Sequence, residues 1–252
     1  MVFAEQITIP ELSGDTPRRL FVYTPEELEE DEDRRYPVLY MFDGHNLFYD
    51  KTATYGKSWG LKEYLEEHHT PLIVVGVECN HEGHRRLEEY SPYQGPVAGD
   101  TIKNAQGRMT LDWIADTLKP VIDASFPTLP EREHTAIAGS SMGGLMSIYA
   151  AVTYNHVFSK AAGLSPSISI DLPALLADIN NAKIGEDTRI YMDVGTMEMG
   201  RTGGWYRDLE KVEQALFQKG VIPCLRMVAG GTHSEASWEK QIPVFFRHLG
   251  LE

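Results

Sequence analysis

The run Thr135-Ala136-Ile137-Ala138-Gly139-Ser140-Ser141-Met142-Gly143-Gly144, continued by Leu145 to Ala151, decides the fold. A short apolar strand leads into a turn of glycine and serine, and an apolar helix starts at once. This is the setting of a nucleophile elbow, Gly-x-Ser-x-Gly, in which one serine takes a strained backbone between strand and helix. Small residues are needed two places before and two places after that serine. For Ser141 those places hold Gly139 and Gly143, whereas for Ser140 they would hold Ala138 and the bulkier Met142. Ser141 is therefore the nucleophile candidate. Glycine- and serine-rich turns also cradle phosphates, but Gly-x-Gly-x-x-Gly and a P-loop lysine are both absent here.

Similar strands flank the elbow. Pro37 to Phe42, Leu72 to Val77, Lys160 to Leu164, Arg189 to Val194 and Val221 to Val228 are short apolar runs separated by helical periodicity. Continuous apolar strands alternating with helices imply a parallel sheet covered on both faces. The first residues alternate instead, giving antiparallel strands Gln6 to Ile9 and Arg18 to Tyr23 around a Ser13-Gly14-Asp15 turn. The expected fold is α/β, one domain over residues 1–252 with an eight-stranded, mostly parallel sheet. Helices are expected over Ser58 to His68, Arg108 to Phe126, Ser141 to Tyr154, Leu172 to Asn180, Gly204 to Lys219 and Ser234 to Leu249, with Pro120 kinking or restarting the second. The segment Asn80 to Gln106 follows a core strand and is rich in Gly, Pro, His and Tyr, which reads as a long substrate-contacting loop.

A serine hydroxyl needs a base to take its proton and an acid to orient that base. Of nine histidines, His233 in Gly230-Gly231-Thr232-His233-Ser234 follows the last strand and precedes a helix, which gives the chain order serine, acid, histidine. The acid falls on the loop after Arg189 to Val194. Glu198 lies out on that loop and is favoured. Asp193, in the last turn of the strand, is the alternative and reads better as a partner of loop N–H groups. The oxyanion donors are expected to be the backbone N–H groups of Met142, at the start of the helix, and of His45, in Asp43-Gly44-His45-Asn46 after the third strand, where Gly44 would bring the backbone close to substrate. His45 and His81 with Asp43 or Glu82 are not spaced as ligands on one helical or strand face, so no metal and no cofactor are expected.

Composition bounds the partners. A net charge of −14 over 252 residues argues against phosphate-backbone binding to nucleic acid and against anionic membranes. The charge run Glu26 to Arg35 reads as a solvated surface segment. No window is long and apolar enough for a membrane span. The N-terminus lacks a basic region followed by an apolar run, and Cys79 and Cys224 sit in apolar runs that read as strands, so a cytoplasmic protein with buried free thiols is expected. Self-association into a homo-oligomer stays open.

Taken together, Val38 to Phe48, Arg86 to Pro92, Gly139 to Gly144, Gly163 to Ser167, Asp193 to Thr196 and Gly231 to Ser234 resemble the esterase D-like family of α/β-hydrolases, which includes feruloyl esterases, enterochelin esterases and S-formylglutathione hydrolases. The resemblance spans nearly the whole chain. It implies an α/β-hydrolase fold and a cofactor-independent serine esterase, with its nucleophile on Ser141, its histidine on His233, and its oxyanion donors on His45 and Met142. The acid varies between Asp and Glu in such proteins, and Glu198 stays favoured. Asp-Gly-His-Asn stands where many esterases have His-Gly. The expected substrate is a small-molecule ester with a small acyl or hydroxycinnamoyl group, and acyl transfer or thioester hydrolysis by the same groups is the alternative. A non-catalytic binding module would normally have lost the serine or the histidine. Asn46, Arg86 and Trp205 are candidate substrate contacts, with Arg85, Arg201, Trp59 and Tyr93 near the same face. Trp59 and Trp205 read equally as packing at helix starts, and Arg86 with Glu89 as a structural ion pair.

Overall fold

The computed structural model describes residues 1–29, 33–97, 99–198 and 203–252, so Arg201 and part of the Glu26 to Arg35 charge run lie outside the described residues. In chain order the strands are β1 (Val2–Ile9), β2 (Gly14–Tyr23), β3 (Val38–Phe42), β4 (Ile73–Val77), β5 (Gly95–Val97), β6 (Asp100–Ile102), β7 (Thr135–Ser140), β8 (Lys160–Leu164), β9 (Arg189–Gly195) and β10 (Ile222–Val228). Eight of them form one sheet in the order β1-β2-β4-β3-β7-β8-β9-β10. The six from β4 to β10 are parallel, and the β1–β2 hairpin adds antiparallel to β4. This is the α/β-hydrolase type of sheet expected from the sequence.

Period-2 alternation explains the two layers. Val38, Tyr40 and Phe42 of β3 pack on one face with Ile137, Ile190 and Met192, against Leu145, Ile148, Leu209 and Leu216 of the helices Met142–Thr153 and Gly204–Gln218. Leu39 and Met41 point the other way, with Val74, Ala136 and Ala138, against Leu61, Leu65, Ile242, Phe245 and Phe246. The helix Met142–Thr153 is buried on all sides from Met142 to Val152. It carries no polar face because it lies between the sheet and other helices.

Strand β3 lies between β4 and β7, so the chain winds one way from β3 to β4 and the other way from β3 to β7. The carboxyl ends of β3 and β7 therefore flank a topological switch point, where open α/β sheets form their clefts. The elbow and the Asp43 to Asn46 loop both emerge there.

Several expectations need correction. The helix expected over Arg108 to Phe126 is Gly107–Trp113, a π-helical turn Ile114–Leu118, then Lys119–Ser125. Pro120 has no N–H and crowds the carbonyl four residues back, and the wider turn before it relieves that clash. The Asn80 to Gln106 segment is partly regular, with a helix Arg85–Glu89 and the β5–β6 hairpin. The β1–β2 connection is a helical turn, Pro10–Ser13, closed by Gly14 at φ 56°. Cys79 lies just beyond β4 and is buried, whereas Cys224, within β10, is only half-buried and not buried as expected; both are free.

Candidate active site

Ser141 caps the helix Met142–Thr153 with φ 56° and ψ −118°, a conformation costing on the order of 1–3 kcal/mol for a residue with a side chain. Backbone bonds hold it there: Ser141 N–H donates to the Leu164 carbonyl at 2.9 Å, and its own carbonyl accepts from Ser167 N–H at 3.0 Å and Leu145 N–H at 3.1 Å. The flanking glycines are required by contact. A Cβ on Gly139 would lie 2.8 Å from the Gly143 carbonyl carbon, and one on Gly143 would lie 2.8 Å from Phe42 Cβ. Met142 is the first residue of the helix, so its N–H has no intrahelical acceptor and stands at the positive end of the dipole.

His45 sits in a short 3-10 turn, Gly44–Asn46, entered through Asp43 in the left-handed region at φ 57°. Gly44 does not serve the role expected of it. Its Cα faces the backbone of Gly76 in β4, and a Cβ there would run into the Gly76 carbonyl, so the glycine lets the loop lie on the neighbouring strand. Asp43 is buried and takes both arms of Arg86, at 2.7 and 2.6 Å. Burial opposes its ionisation, but the Arg86 guanidinium holds the carboxyl below its usual range. Arg86 thus pairs with Asp43 and not with Glu89. Glu89 pairs with Arg18 across the buried face of the hairpin, at 2.6 and 2.7 Å.

The histidine and the loop after β9 meet. His233 Nδ1 lies 2.6 Å from Glu198 Oε2. Glu198 Oε1 accepts from Gly195 N–H and from Ser165 Oγ, each at 2.8 Å. Burial would raise the Glu198 pKa, yet the bonds from His233, Ser165 and Gly195 outweigh it and hold the carboxyl below its usual range. An ionised carboxylate only accepts, so the Nδ1–H of His233 is the donor in this bond. Asp193 points elsewhere: it accepts from Ser165 N–H at 3.2 Å and from Tyr191 Oη at 2.8 Å. Burial pushes its pKa up to about 7, only partly offset by those two bonds. Ser141 Oγ bonds Ser167 Oγ at 3.3 Å rather than the His233 ring. Such bonds often close only with substrate present.

A profile of the family described as Putative esterase matches residues 13–249 of the chain. The chain belongs to that family. It is an esterase. It is 26% identical to the uncharacterized protein YbbA of Bacillus subtilis over 234 residues, covering 89% of each chain. Among solved structures it is similar to an IroE-like serine hydrolase from Shewanella oneidensis, with TM-score 0.75, 19% identity, and coverage of 99% of this chain and 79% of that one. It is also similar to the siderophore hydrolase EstA of Aspergillus nidulans, with TM-score 0.71, 18% identity, and coverage of 98% and 94%. These structural likenesses speak to the fold.

The remaining candidates have the following partners. Trp205 donates its indole N–H to the Pro166 carbonyl at 3.0 Å, and its ring lies 5.9 Å from the His233 ring. Trp59 is buried against Trp238 at 5.9 Å between ring centres, as packing. Tyr93 Oη donates to Asp178, and exposed Arg85 sits by Glu82. Asn46 is nearly buried, accepting from Thr54 N–H at 2.9 Å and donating to Glu235 at 3.4 Å.

Sequence reasoning missed the residues that hold the histidine and its acid. Trp238 stacks edge-on to the His233 ring at 5.1 Å and donates its indole N–H to Ser165 Oγ at 3.0 Å. Ser165, at φ 45°, then passes a hydrogen bond to Glu198. The signal available was Ser165 ending the strand before the acid strand, within Gly163-Leu164-Ser165-Pro166-Ser167. His45 and His81 do approach one another, and the donor that joins them is Cys79, which the sequence reading had not included. Spacing within one element could not reveal a cluster assembled from two loops.

Proposed function

We propose that Ser141, His233 and Glu198 form the catalytic triad, and that the esterase works through an acyl-enzyme on Ser141. The observation that carries this reading is the 2.6 Å contact between His233 Nδ1 and the ionised Glu198, beside a serine in the strained elbow conformation. His233 Nε2 takes the Ser141 proton as Oγ attacks the ester carbonyl. The N–H groups of Met142 and His45 receive the developing oxyanion, each worth roughly 3–4 kcal/mol of barrier by analogy with single oxyanion donors. His233 then protonates the leaving alcohol, and the same base activates the water that releases the acid.

The substrate is a small-molecule ester with a small acyl or hydroxycinnamoyl group, which Trp205 beside His233 would flank. The protein acts without nucleic acid or membrane partners, consistent with its net charge of −14. Among the described residues no helix is long and apolar enough to cross a membrane. Its two free cysteines suit the reducing cytoplasm.

Specificity constants over p-nitrophenyl esters of increasing acyl length, methyl ferulate and a siderophore ester would test this reading. The highest value is expected on a short acyl or hydroxycinnamoyl ester, with loss of activity in Ser141→Ala. Preference for a thioester, or diversion of the acyl group to an added alcohol instead of water, would replace hydrolysis with the alternative chemistries.

A further inference from the structure

The ends of β3 and β4 lie side by side, with Phe42 in register with Val77. The loops leaving them therefore rise together. His45 comes from the first, Cys79 and His81 from the second, and one ligand atom from each of the three lies within 4.8 Å of the others. Cys79 Sγ is 3.9 Å from His81 Nδ1, and the His45 and His81 rings meet edge to face at 4.8 Å.

The outer nitrogens of both rings are already engaged. His81 Nε2 lies 3.1 Å from Glu78 Oε1. Nε2 is therefore the nitrogen turned toward the carboxylate, and Nδ1 the one that faces the Cys79 sulfur. His45 Nε2 lies 2.9 Å from Thr54 Oγ1. Among the described residues His45 Nδ1 has no hydrogen-bond partner, and it is buried in a residue only 2% exposed. A buried ring nitrogen left unpaired carries a desolvation cost unless something occupies it. An imidazole whose far N–H is anchored to a carboxylate is how histidine ligands are commonly oriented toward a metal.

We propose that His45, Cys79 and His81 form a binding site for a zinc ion. Two imidazoles and a thiolate suit this borderline-soft cation, and a fourth position would remain for water. Zinc–sulfur and zinc–nitrogen bonds of about 2.3 and 2.0–2.1 Å at a tetrahedral angle span roughly 3.6 Å between ligand atoms, against 3.9 Å for the Cys79–His81 pair. The His81 side chain is 56% exposed, so it is free to close the remaining gap and gives the ion its way in. On binding, the Cys79 thiol proton leaves to solvent, the sulfur–zinc bond forms, and no electron transfer is involved. The Asp43–Arg86 and Arg19–Glu78 pairs around the site are each neutral as pairs, so the thiolate supplies the net negative charge that faces the cation.

The test is direct binding to the full-length protein after chelator treatment, independent of any esterase assay. Titration against a chromophoric zinc chelator should show one equivalent bound, and cobalt substitution should produce a thiolate-to-metal absorption band. His81→Ala, at an exposed position that leaves the core intact, should weaken zinc at least 100-fold, and Cys79→Ser should remove the cobalt band. His84→Ala, at an exposed histidine outside the cluster, should change neither. Absence of an equivalent of zinc, or binding unchanged in both His81→Ala and Cys79→Ser variants of native thermal stability, overturns the proposal.

Discussion

Two carboxyl groups stand at the same corner of the sheet, five positions apart, and they are treated in opposite ways. Asp193 lies within β9, where the backbone is fixed by strands on both sides, and its carboxyl is buried 1% exposed with a phenol and one N–H as donors. Glu198 lies in the turn that follows, where three donors converge on it and one of them is the imidazole. Burial costs both groups, but the donors on Glu198 outweigh it and hold that carboxyl below its usual range, whereas those on Asp193 do not. The acid that can orient a histidine is thus the one the chain holds outside its regular ladder. Ser165 touches both, giving its N–H to Asp193 and its hydroxyl to Glu198.

That contrast can be broken by substitution. The largest effect is expected from Ser141→Ala, which removes the nucleophile and should lower kcat on p-nitrophenyl acetate by at least about 10⁴-fold. Glu198→Gln should follow, with kcat down roughly 10²–10⁴-fold and KM little changed, because the imidazole loses its orienting anion. If Asp193→Asn proved as damaging as Glu198→Gln, the two roles assigned here would be reversed. Ser165→Ala takes one donor from Glu198 and leaves the Trp238 indole N–H unpaired, so about a tenfold fall in kcat is expected, together with an upward shift in the acidic limb of the pH profile.

Asp193→Asn should change activity least, within a few-fold, and its signature is in stability. The Asp193 pKa of about 7 lies above its unfolded value of about 3.9, so the folded protein holds a proton that the unfolded chain releases. Wild-type stability therefore falls as pH rises from about 4 through about 7, by a ceiling on the order of 4 kcal/mol. The asparagine variant lacks that slope and should melt higher than wild type at pH 8, which denaturation at several pH values would measure.

The elbow, the parallel sheet and the positions of most helices were readable in sequence because each rests on local patterning: apolar runs, 3.6-residue periodicity, and glycines whose missing side chains are required by contact. The contact between His233 and Glu198 was reachable from chain order together with the place of Glu198 out on the loop, with Asp193 kept as the alternative. Pairings across the fold were not. Arg86 was expected on Glu89, a neighbour on its own helix, yet Asp43 from another loop accepts from its Nε and Nη2. Gly44 was read as an approach to substrate, while the sheet order that puts β4 beside β3 makes it an approach to Gly76. Trp238 and Ser165, 73 positions apart, share a hydrogen bond that no periodicity encodes.

The central claim is that the activated nucleophile is Ser141, although Ser140 precedes it directly and Ser167 Oγ lies 3.3 Å from its hydroxyl. Labelling the folded protein with a fluorophosphonate and mapping the adduct by peptide mass spectrometry tests this directly. One adduct per chain, located on Ser141 and lost together with activity in Ser141→Ala, is the predicted result. An adduct on Ser140 or Ser167, or a fully active protein that takes no label, would contradict it.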